Sequence, residues 1–425
     1  ELVLDDIREN LQGGPWENIE VIPTSSHTGE GIDALRAKVA DMLTCAPDVR
    51  DCGKPRLPVD RAFSLKGVGT VVTGTLIDGS VAAGTDLVAQ PTGLKAHIRN
   101  VQSHKADQET VFPGTRTALN LTGNSEASRA TEGIARGNVI TDPALGDAVT
   151  AIDVLLEKSD REVRGQKKSV RPVRTGRQVL FHYGSASYPA RMHLLGVRTV
   201  DPGGSAIAEL RFKEPVYVFV GDRFVLRDAS LGLTLAGGVV LDEDANRRMF
   251  RKPWQETFLH ARSEDPEDLG ILIRSQLLRD KAASISMLLA KSRFSQEEIA
   301  DKAKALIAEG ALAQSGSWIF DRIWWERVSQ LAGQMILDFH QAEPDLLGLP
   351  SRELKNRIAS ELPTAKLFDV LVAGLFAGDF AKAGPNIRHR DHSPELPPEL
   401  KGAGERIRKV LGEDIIAPPN KGEVA

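Results

Sequence analysis

Cysteine is scarce in this sequence, since Cys45 and Cys52 are the only two among 425 residues. A disulfide framework or a structural zinc site needs about four ligating side chains, so neither can organise the fold. The nine histidines are scattered along the chain, without the HExxH spacing of a metal-binding helix. The sequence therefore predicts no metal site.

Long apolar runs are missing as well, because no segment approaches the roughly 20 residues that a membrane-spanning helix needs. The hydrophobic fraction of 41% and the charged fraction of 26% are those of ordinary globular proteins. We therefore expect a cytoplasmic protein that has no membrane partner.

A large charge excess is also lacking, because the net charge at pH 7 is only −4. Such a balance argues against general coating of nucleic acid. Basic residues do cluster locally, with seven Lys or Arg between Arg161 and Arg177 against one Glu. The sequence therefore predicts that Arg171, Arg174 and Arg177 contact an RNA backbone, with a solvated loop as the alternative.

Two nucleotide-binding motifs, the phosphate loop GxxxxGK[ST] and the guanine-specific NKxD, are absent from all 425 residues. The first would cradle phosphates and help to hold Mg²⁺, and the second would bind the edge of guanine. We therefore expect that this chain alone has no cofactor and does not hydrolyse GTP.

The patterns that are present change along the chain, which indicates several domains. At roughly 150 residues per domain, a chain of 425 residues should form three or more. Residues 1–50 begin with a helix and continue with a predicted strand, Ile19 to Pro23, a polar loop and a helix from Ile32. A lone βα unit cannot bury both faces of a sheet, so we expect a larger domain that begins upstream of Glu1.

Short strands rich in Val, Thr and Leu, broken by glycine, then run from about Pro55 to Asp242, and this pattern predicts two all-β barrels or sandwiches. Helical periodicity follows. Ser295 and Glu298 form a predicted capping box, and a hairpin over residues 311–320 completes the element order of a winged helix. Because that order repeats, we expect a tandem of winged helices.

The predicted domains are consecutive along the chain. They are a βα unit at residues 1–50, β domains at 55–155 and 156–245, winged helices at 250–323 and 324–398, and the truncated start of a third winged helix at 399–425.

Four motifs carry the strongest functional signal. LPVDRAFSLKGVGTVVTGT spans residues 57–75 and FPGTRTALNL spans 112–121, while HYGSA at 182–186 and GDRFVLRD at 221–228 follow in the second β domain. With the helical tandem after them, these motifs resemble the bacterial type of selenocysteine-specific translation elongation factor over nearly the whole chain. The resemblance implies the end of a P-loop GTPase domain, two translation-factor barrels and tandem winged helices.

The resemblance also implies a site for the selenocysteyl moiety at Asp60, Arg61 and Arg116. The chemistry is reasonable, because a selenol ionises more easily than a thiol, and guanidinium groups attract an anion but not a serine hydroxyl. Asp60 would orient the arginines and limit their mutual repulsion. The alternative is an ordinary ion pair at the start of a strand beside a solvated arginine.

The loop TSSHTGEG, residues 24–31, is similar to the loop of translational GTPases that contacts guanine, with His27 at the position of the usual lysine. Small side chains at Ser25 and Ser26 would let backbone N–H groups reach the base. The alternative is a polar loop between a strand and a helix. In the full-length parent, the family implies GTP and Mg²⁺ as cofactors.

The implied function is GTP-dependent delivery of selenocysteyl-tRNA to the ribosome at recoded UGA codons. The implied partners include the selenocysteine-insertion hairpin of the messenger, bound by a winged helix that this chain lacks. One alternative is the GTPase subunit of sulfate adenylyltransferase, which would not be expected to carry the helical tandem. Another is a DNA-binding regulator, against which residues 296–309 contain more acidic than basic side chains.

Overall fold

The computed structural model describes most of the chain, namely residues 2–14, 16–65, 69–122, 133–160, 171–230, 232–394 and 398–413. The chain divides into two compact units, Glu1–Arg50 and Asp51–Ala425. Within the described ranges, no helix combines the length and the apolar character needed to cross a membrane.

The first unit contains the helices α1 (Leu2–Leu11) and α2 (Ile32–Thr44), which confirms both predicted helices. The predicted strand from Ile19 to Pro23 is wrong, because the described residues of this unit include no neighbouring strand that could pair with it. Before α2, Gly31 has a φ of 72°, and a Cβ there would lie 2.0 Å from the Pro23 carbonyl oxygen. Only glycine fits this close turn.

The second unit begins with a barrel of short strands. These are β1 (Arg56–Leu65), β2 (Gly69–Thr75), β3 (Val81–Ala82), β4 (Asp86–Gln90), β5 (Leu94–Ser103), β6 (Ala106–Gln108), β7 (Thr110–Val111), β8 (Arg116–Thr122) and β9 (Val139–Thr141).

Pairing closes this first barrel into a ring. The strand order is β4-β9-β1-β2-β8-β5, and an additional pairing of β4 with β5 joins the two ends, while β6 extends from β5. Alternating side chains point inward, so that Val59, Val72, Ile98 and Leu119 are fully buried in the core. The other face of each strand is left to carry polar groups.

A 3-10 helix, Pro143–Leu145, leads to the strands of the second barrel. These are β10 (Val149–Glu157), β11 (Val173–Arg174), β12 (Gln178–Tyr183), β13 (Ala186–Leu194), β14 (Thr199–Val200), β15 (Ser205–Val216), β16 (Arg223–Asp228) and β17 (Thr234–Asp242). Six of them close in the order β10-β15-β13-β12-β16-β17, and β11 pairs with β14 separately.

The core of the second barrel is aromatic at its centre. The Phe181 ring lies 5.3 Å from that of Phe212 and 5.1 Å from that of Phe224, between ring centroids. The first strand, β10, starts at Val149, so it crosses the boundary between β domains that the sequence analysis placed at residues 155 and 156. Each barrel has its own hydrophobic core, and a short connection joins the two barrels.

The first winged helix confirms the predicted capping box and hairpin. Ser295 and Glu298 cap α5 reciprocally, and the hairpin strands pair across a turn at Gly316. Its elements are α3 (Pro253–Glu264), α4 (Leu269–Asp280), β18 (Ala282–Ser284), α5 (Gln296–Ala308), β19 (Leu312–Ser315) and β20 (Trp318–Asp321).

The second winged helix also has three helices and a three-stranded sheet, although its first strand follows its first helix, and it shares a core with the first winged helix. Phe320 of the first hairpin and Trp324 of the next helix are buried together, and Phe320 stacks on Trp325 at 4.0 Å between ring centroids. The elements are α6 (Arg322–Ala342), β21 (Leu349–Pro350), α7 (Ser351–Ile358), α8 (Leu367–Ala377), β22 (Phe380–Ala383) and β23 (Asn386–His389), followed by α9 (Pro398–Glu413).

Candidate functional site

A β-bulge in β1 places two charged residues side by side on the outside of the first barrel. In the pairing of β1 with β2, Val59 faces Gly74 and Arg61 faces Thr73, so Asp60 is the additional residue. Val59 is buried in the core, whereas Asp60 is half-buried and Arg61 is exposed. An additional residue interrupts the alternation of a strand, so that consecutive side chains can lie on the same face.

Both carboxylate oxygens of Asp60 accept hydrogen bonds. The Thr73 hydroxyl donates to Oδ1 at 2.7 Å, and the Arg116 guanidinium donates to Oδ2 through Nη1. Arg116 is the first residue of β8 and pairs with Thr75 of β2, so three adjacent strands build the site. The structure therefore brings the predicted residues Asp60 and Arg116 into direct contact.

Arg61 joins this cluster through its charge. Its side chain donates no hydrogen bond to another described residue. The Arg116 hydrogen bond lowers the pKa of Asp60, burial opposes this effect, and Thr73 and the charges of Arg116 and Arg61 add to the lowering. With Asp60 ionised, one negative and two positive charges share the face, and the net charge is positive.

The cluster is open to solvent. The Arg116 side chain is 54% exposed and that of Asp60 is 29% exposed. A ligand could therefore approach the guanidinium without any rearrangement of the barrel.

Ser25, Ser26 and His27 lie in the first unit, in the loop before α2. Ser25 organises this loop, because its hydroxyl accepts the Thr28 N–H at 3.2 Å and its own N–H donates to the Glu30 carbonyl at 3.0 Å. Ser26 and His27 are exposed, and their backbone N–H groups donate to no acceptor in the part of the chain that the structure describes. The loop can therefore offer two N–H donors to a ligand carbonyl.

Arg171, Arg174 and Arg177 line one groove on the second barrel, with a volume of about 600 Å³. Arg171 and Arg174 are exposed, whereas Arg177 forms an ion pair with Asp228, which is buried. The structure thus brings the three predicted residues together, but it engages one of them in the barrel itself. The rest of the basic stretch, residues 161–170, lies outside the described residues.

A second charge cluster, which the sequence analysis missed, joins the two barrels. The guanidinium of Arg56 in β1 is buried, and it donates to Asp78 of the same barrel at 2.5 and 2.8 Å. It also donates to Asp222 of the second barrel at 2.6 and 2.9 Å and to the Tyr183 hydroxyl at 2.7 Å. Although burial opposes it, the carboxylates keep the pKa of Arg56 well above its ordinary value.

A sequence signal for this cluster existed. Tyr183 belongs to the motif HYGSA and Asp222 to the motif GDRFVLRD, both of which carried the family resemblance. Tyr183 donates to Asp222 at 2.6 Å, and the next residue but one, Ser185, donates through Oγ to the Val59 carbonyl at 2.5 Å. These motifs therefore hold the second barrel against the strand that carries Asp60.

The first winged helix is anchored to the first barrel by buried donors. Lys54 donates through Nζ to the Leu289 carbonyl at 2.8 Å and to Ser292 Oγ at 3.3 Å. Cys52 donates through Sγ to the Arg293 carbonyl at 3.1 Å. Burial lowers the pKa of Lys54 to about 8. The segment 288–293 of the winged helix therefore packs directly on the start of the barrel.

The same segment also contacts the second barrel. The Val220 N–H donates to the Lys291 carbonyl at 2.9 Å, and Val220 pairs with Ser292 as an isolated parallel bridge. Lys291 in turn donates through Nζ to the Asp147 carbonyl at 2.9 Å. One winged helix is thus held by both barrels.

Two buried carboxylates lie between the second barrel and the first winged helix. Gln255 of α3 donates to Asp153 at 3.0 Å and to Asp242 at 3.2 Å, and Arg279 of α4 donates to Asp242 at 2.6 Å. Burial, and then the charge of Asp242, raise the pKa of Asp153 to about 8. This environment favours the protonated form of Asp153, while Asp242 forms an ion pair with Arg279.

Two protein-family models match parts of the chain. The model described as "Selenocysteine-specific elongation factor, beta-barrel domain" matches residues 160–247, which hold most of the second barrel. The model described as "Elongation factor SelB, winged helix" matches residues 335–381, in the second winged helix.

Relatives with the same description cover most of this chain. The selenocysteine-specific elongation factor of Desulfomicrobium baculatum is 30% identical over 363 residues, which are 83% of this chain and 54% of the relative. That of Escherichia coli K12 is 24% identical over 415 residues, which are 96% of this chain and 61% of the relative. The chain thus spans little more than half of the length of these relatives.

The fold also matches a solved structure. The crystal structure of a bacterial selenocysteine-specific elongation factor superposes with a TM-score of 0.68 and 19% identity, covering 97% of this chain and 62% of that one. The order of two barrels and winged helices is therefore that of a known fold. Together, the family models and the relatives show that this chain is similar to selenocysteine-specific elongation factors along most of its length.

Proposed function

We propose that this chain supplies the tRNA-binding barrels and the connecting arm of a factor that delivers selenocysteyl-tRNA to the ribosome at recoded UGA codons. The observation that carries the proposal is the convergence of Asp60, Arg61 and Arg116 on one open face of the first barrel. The similarity to selenocysteine-specific elongation factors favours this function over a sulfate adenylyltransferase subunit or a DNA-binding regulator.

The cluster suits an anionic side chain. A selenol is more acidic than a thiol, so selenocysteine is an anion at neutral pH and serine is not. Two unit charges 4 Å apart attract by about 1 kcal/mol in bulk water and by about 4 kcal/mol at an effective dielectric of 20. Because Arg116 is 54% exposed, the attraction in this state belongs to the lower part of that range, and it rises if bound tRNA covers the face.

The groove at Arg171, Arg174 and Arg177 supports a second contact with the tRNA. Phosphate oxygens accept from Arg side chains without reading sequence. Arg171 and Arg174 are exposed and have no ion-pair partner among the described residues, whereas Arg177 is paired with Asp228. The groove would add affinity for any tRNA, while the cluster on the first barrel would select the amino acid.

Nucleotide binding belongs to the whole protein in this proposal. The backbone N–H groups of Ser26 and His27 would donate to the guanine carbonyl, and Ser25 would hold the loop in shape. The phosphate loop motif that would hold GTP and Mg²⁺ is absent from the 425 residues. When bound, GTP supplies the free energy of its hydrolysis to the delivery cycle.

The remaining partners follow from the same function. The ribosome receives the tRNA, and the selenocysteine-insertion hairpin of the messenger would be bound by a winged helix beyond those described. The winged helices at α3–α8 would then form the arm between the hairpin and the tRNA. The site of action would be the cytoplasm.

Alanine substitutions at Arg61 and Arg116 test this function in the full-length protein. Dissociation constants for selenocysteyl-tRNA and seryl-tRNA would be measured at two salt concentrations, since backbone contacts weaken with salt for both ligands alike. We expect each variant to lose affinity for selenocysteyl-tRNA selectively. Arg99→Ala, which removes an exposed arginine of the same barrel, is the matched control. Equal losses for both tRNAs would contradict the proposed site.

A further inference from the structure

The contacts of Asp60 leave most of the Arg116 guanidinium unoccupied. An arginine has five N–H donors. Within the described ranges, the Arg116 side chain donates through Nη1 to Asp60 Oδ2. The other carboxylate oxygen, Oδ1, accepts from the Thr73 hydroxyl at 2.7 Å. The Thr73 hydrogen bond favours the rotation of the carboxylate in which Oδ2, and not Oδ1, accepts from Arg116.

The position of Thr73 follows from the bulge in β1. Because Asp60 is the additional residue of that strand, Thr73 lies opposite Arg61 and beside Asp60. Thr73 also pairs with Ala118 of β8, so its backbone is fixed from both sides. A β-branched side chain in a strand has few rotamers, and the hydroxyl therefore has a defined direction.

We propose that Thr73 is a positioning residue that keeps Asp60 from engaging Arg116 with both oxygens, and so keeps guanidinium donors available for an anionic ligand side chain. This inference rests on the proposed function of Asp60, Arg61 and Arg116. Without the hydroxyl, Asp60 can turn toward Arg116 and occupy a second of its donors. An incoming selenolate must then compete with a carboxylate that is always present.

The chain offers close controls for this role. Thr73→Val keeps the shape of the side chain and removes the donor, while Thr73→Ser keeps the donor. Thr75 lies two residues further along β2, is exposed, and faces Arg116 in the pairing of β2 with β8. Thr75→Val therefore removes a neighbouring hydroxyl from the same strand without touching Asp60.

The experiment measures dissociation constants of the full-length protein for selenocysteyl-tRNA and seryl-tRNA in these variants and in Arg116→Ala. We expect Thr73→Val to weaken selenocysteyl-tRNA binding by about fivefold, the effect of one hydrogen bond, and to leave seryl-tRNA unchanged. Thr73→Ser and Thr75→Val should bind both tRNAs as the unchanged protein does. In an Asp60→Ala background, Thr73→Val should have no further effect, since its action passes through Asp60.

The outcomes separate this inference from the function beneath it. If Arg116→Ala leaves the ratio of the two dissociation constants unchanged, the proposed function of the face is wrong and the inference is wrong with it. If Arg116→Ala lowers the preference for selenocysteyl-tRNA and Thr73→Val does not, the function stands and the role of Thr73 is overturned. Equal weakening of both tRNAs by Thr73→Val, or the same selective loss in Thr75→Val, would also overturn it.

Discussion

Arg56 and Arg116 belong to the same barrel and both pair with aspartate, yet their surroundings are opposite. The Arg56 side chain is 1% exposed and donates to two carboxylates and a tyrosine, whereas Arg116 is 54% exposed and donates to one carboxylate. A guanidinium that is enclosed on every side has no donor left for a ligand. The comparison therefore separates the charges that hold the domains together from the charges that can bind.

The same distinction applies elsewhere in the second unit. Lys54 and Asp153 are buried where domains meet, and each has its pKa shifted by that burial. Arg171 and Arg174 are exposed in a groove. Burial, rather than residue type, decides which charged groups are available to a ligand.

Removing Arg56 should give the largest effect on stability. Arg56→Met leaves the buried carboxylate of Asp222 without its cation and leaves Asp78 with only Arg293, at 3.6 Å. Loss of one partner of a buried ion pair costs about 3 to 5 kcal/mol. Denaturant unfolding of the variant and the unchanged chain would measure it. Tyr183→Phe, which removes one hydroxyl from the same network, should cost clearly less. A cost below about 1 kcal/mol for Arg56→Met would contradict the conclusion that Arg56, unlike Arg116, holds the barrels together.

Lys54→Met should loosen the contact between the first barrel and the first winged helix. The Leu289 carbonyl would keep the Ser292 hydroxyl as a donor at 2.7 Å but would lose the Lys54 ammonium. Loss of a hydrogen bond from a charged group costs about 1.5 to 3 kcal/mol. Alkylation of the buried Cys52 thiol reports the opening, in a Cys45→Ser background that removes the exposed thiol. We expect faster alkylation in Lys54→Met but not in the control Lys304→Met, whose ammonium is exposed. Equal rates in all three proteins would show that Lys54 does not hold this contact.

Asp153 should make stability depend on pH. Its pKa is raised to about 8 in the folded chain, so the unfolded chain loses this proton at lower pH than the folded chain does. The stability that the proton contributes is complete below the unfolded pKa near 4 and is lost as pH rises toward 8. Asp153→Asn should therefore reduce the fall in unfolding free energy between pH 5 and pH 8 by at least about 1 kcal/mol.

Thermal or denaturant unfolding at these two pH values would check the expectation for Asp153. Glu264→Gln, which changes an exposed carboxylate at the end of α3, is the control for a change of net charge. A variant with the same pH dependence as the unchanged chain would place the proton elsewhere in the cluster.

Arg116→Ala should have the smallest effect on stability, well under 1 kcal/mol, because it breaks an exposed ion pair. The unfolding free energy should stay close to that of the unchanged chain even though binding of selenocysteyl-tRNA is lost. A variant that loses binding and keeps its stability would distinguish Arg116 most clearly from Arg56. A stability loss as large as that of Arg56→Met would mean that Arg116 is structural.

Local pattern predicted much of this fold. Glycine-bounded strands, the capping box at Ser295 and the hairpin before Asp321 are encoded within a few residues, and all of them are confirmed. The strand from Ile19 to Pro23 failed because strand identity depends on a partner, and an apolar run alone does not supply one. Local signals predict elements, while pairing is a property of the assembled unit.

The candidate site was found by resemblance rather than by pattern. No periodicity indicates that Asp60 and Arg61 share a face, because the bulge exists only in the register of β1 against β2. The contact between Lys54 and Leu289 joins residues 235 positions apart, which single-sequence reasoning cannot connect. Long-range polar contacts were therefore the part of the molecule that the sequence analysis missed.

The segment at residues 288–293 has a consequence for domain exchange between relatives. Three main-chain carbonyls of this segment accept hydrogen bonds from the barrels, namely those of Leu289, Lys291 and Arg293. A carbonyl is present whatever the side chain is, so substitutions along this turn should be tolerated. Deleting one residue would instead displace these acceptors from their donors. In a chimera with the winged helix of a relative, preserving the length of this turn should therefore matter more than preserving its amino-acid sequence.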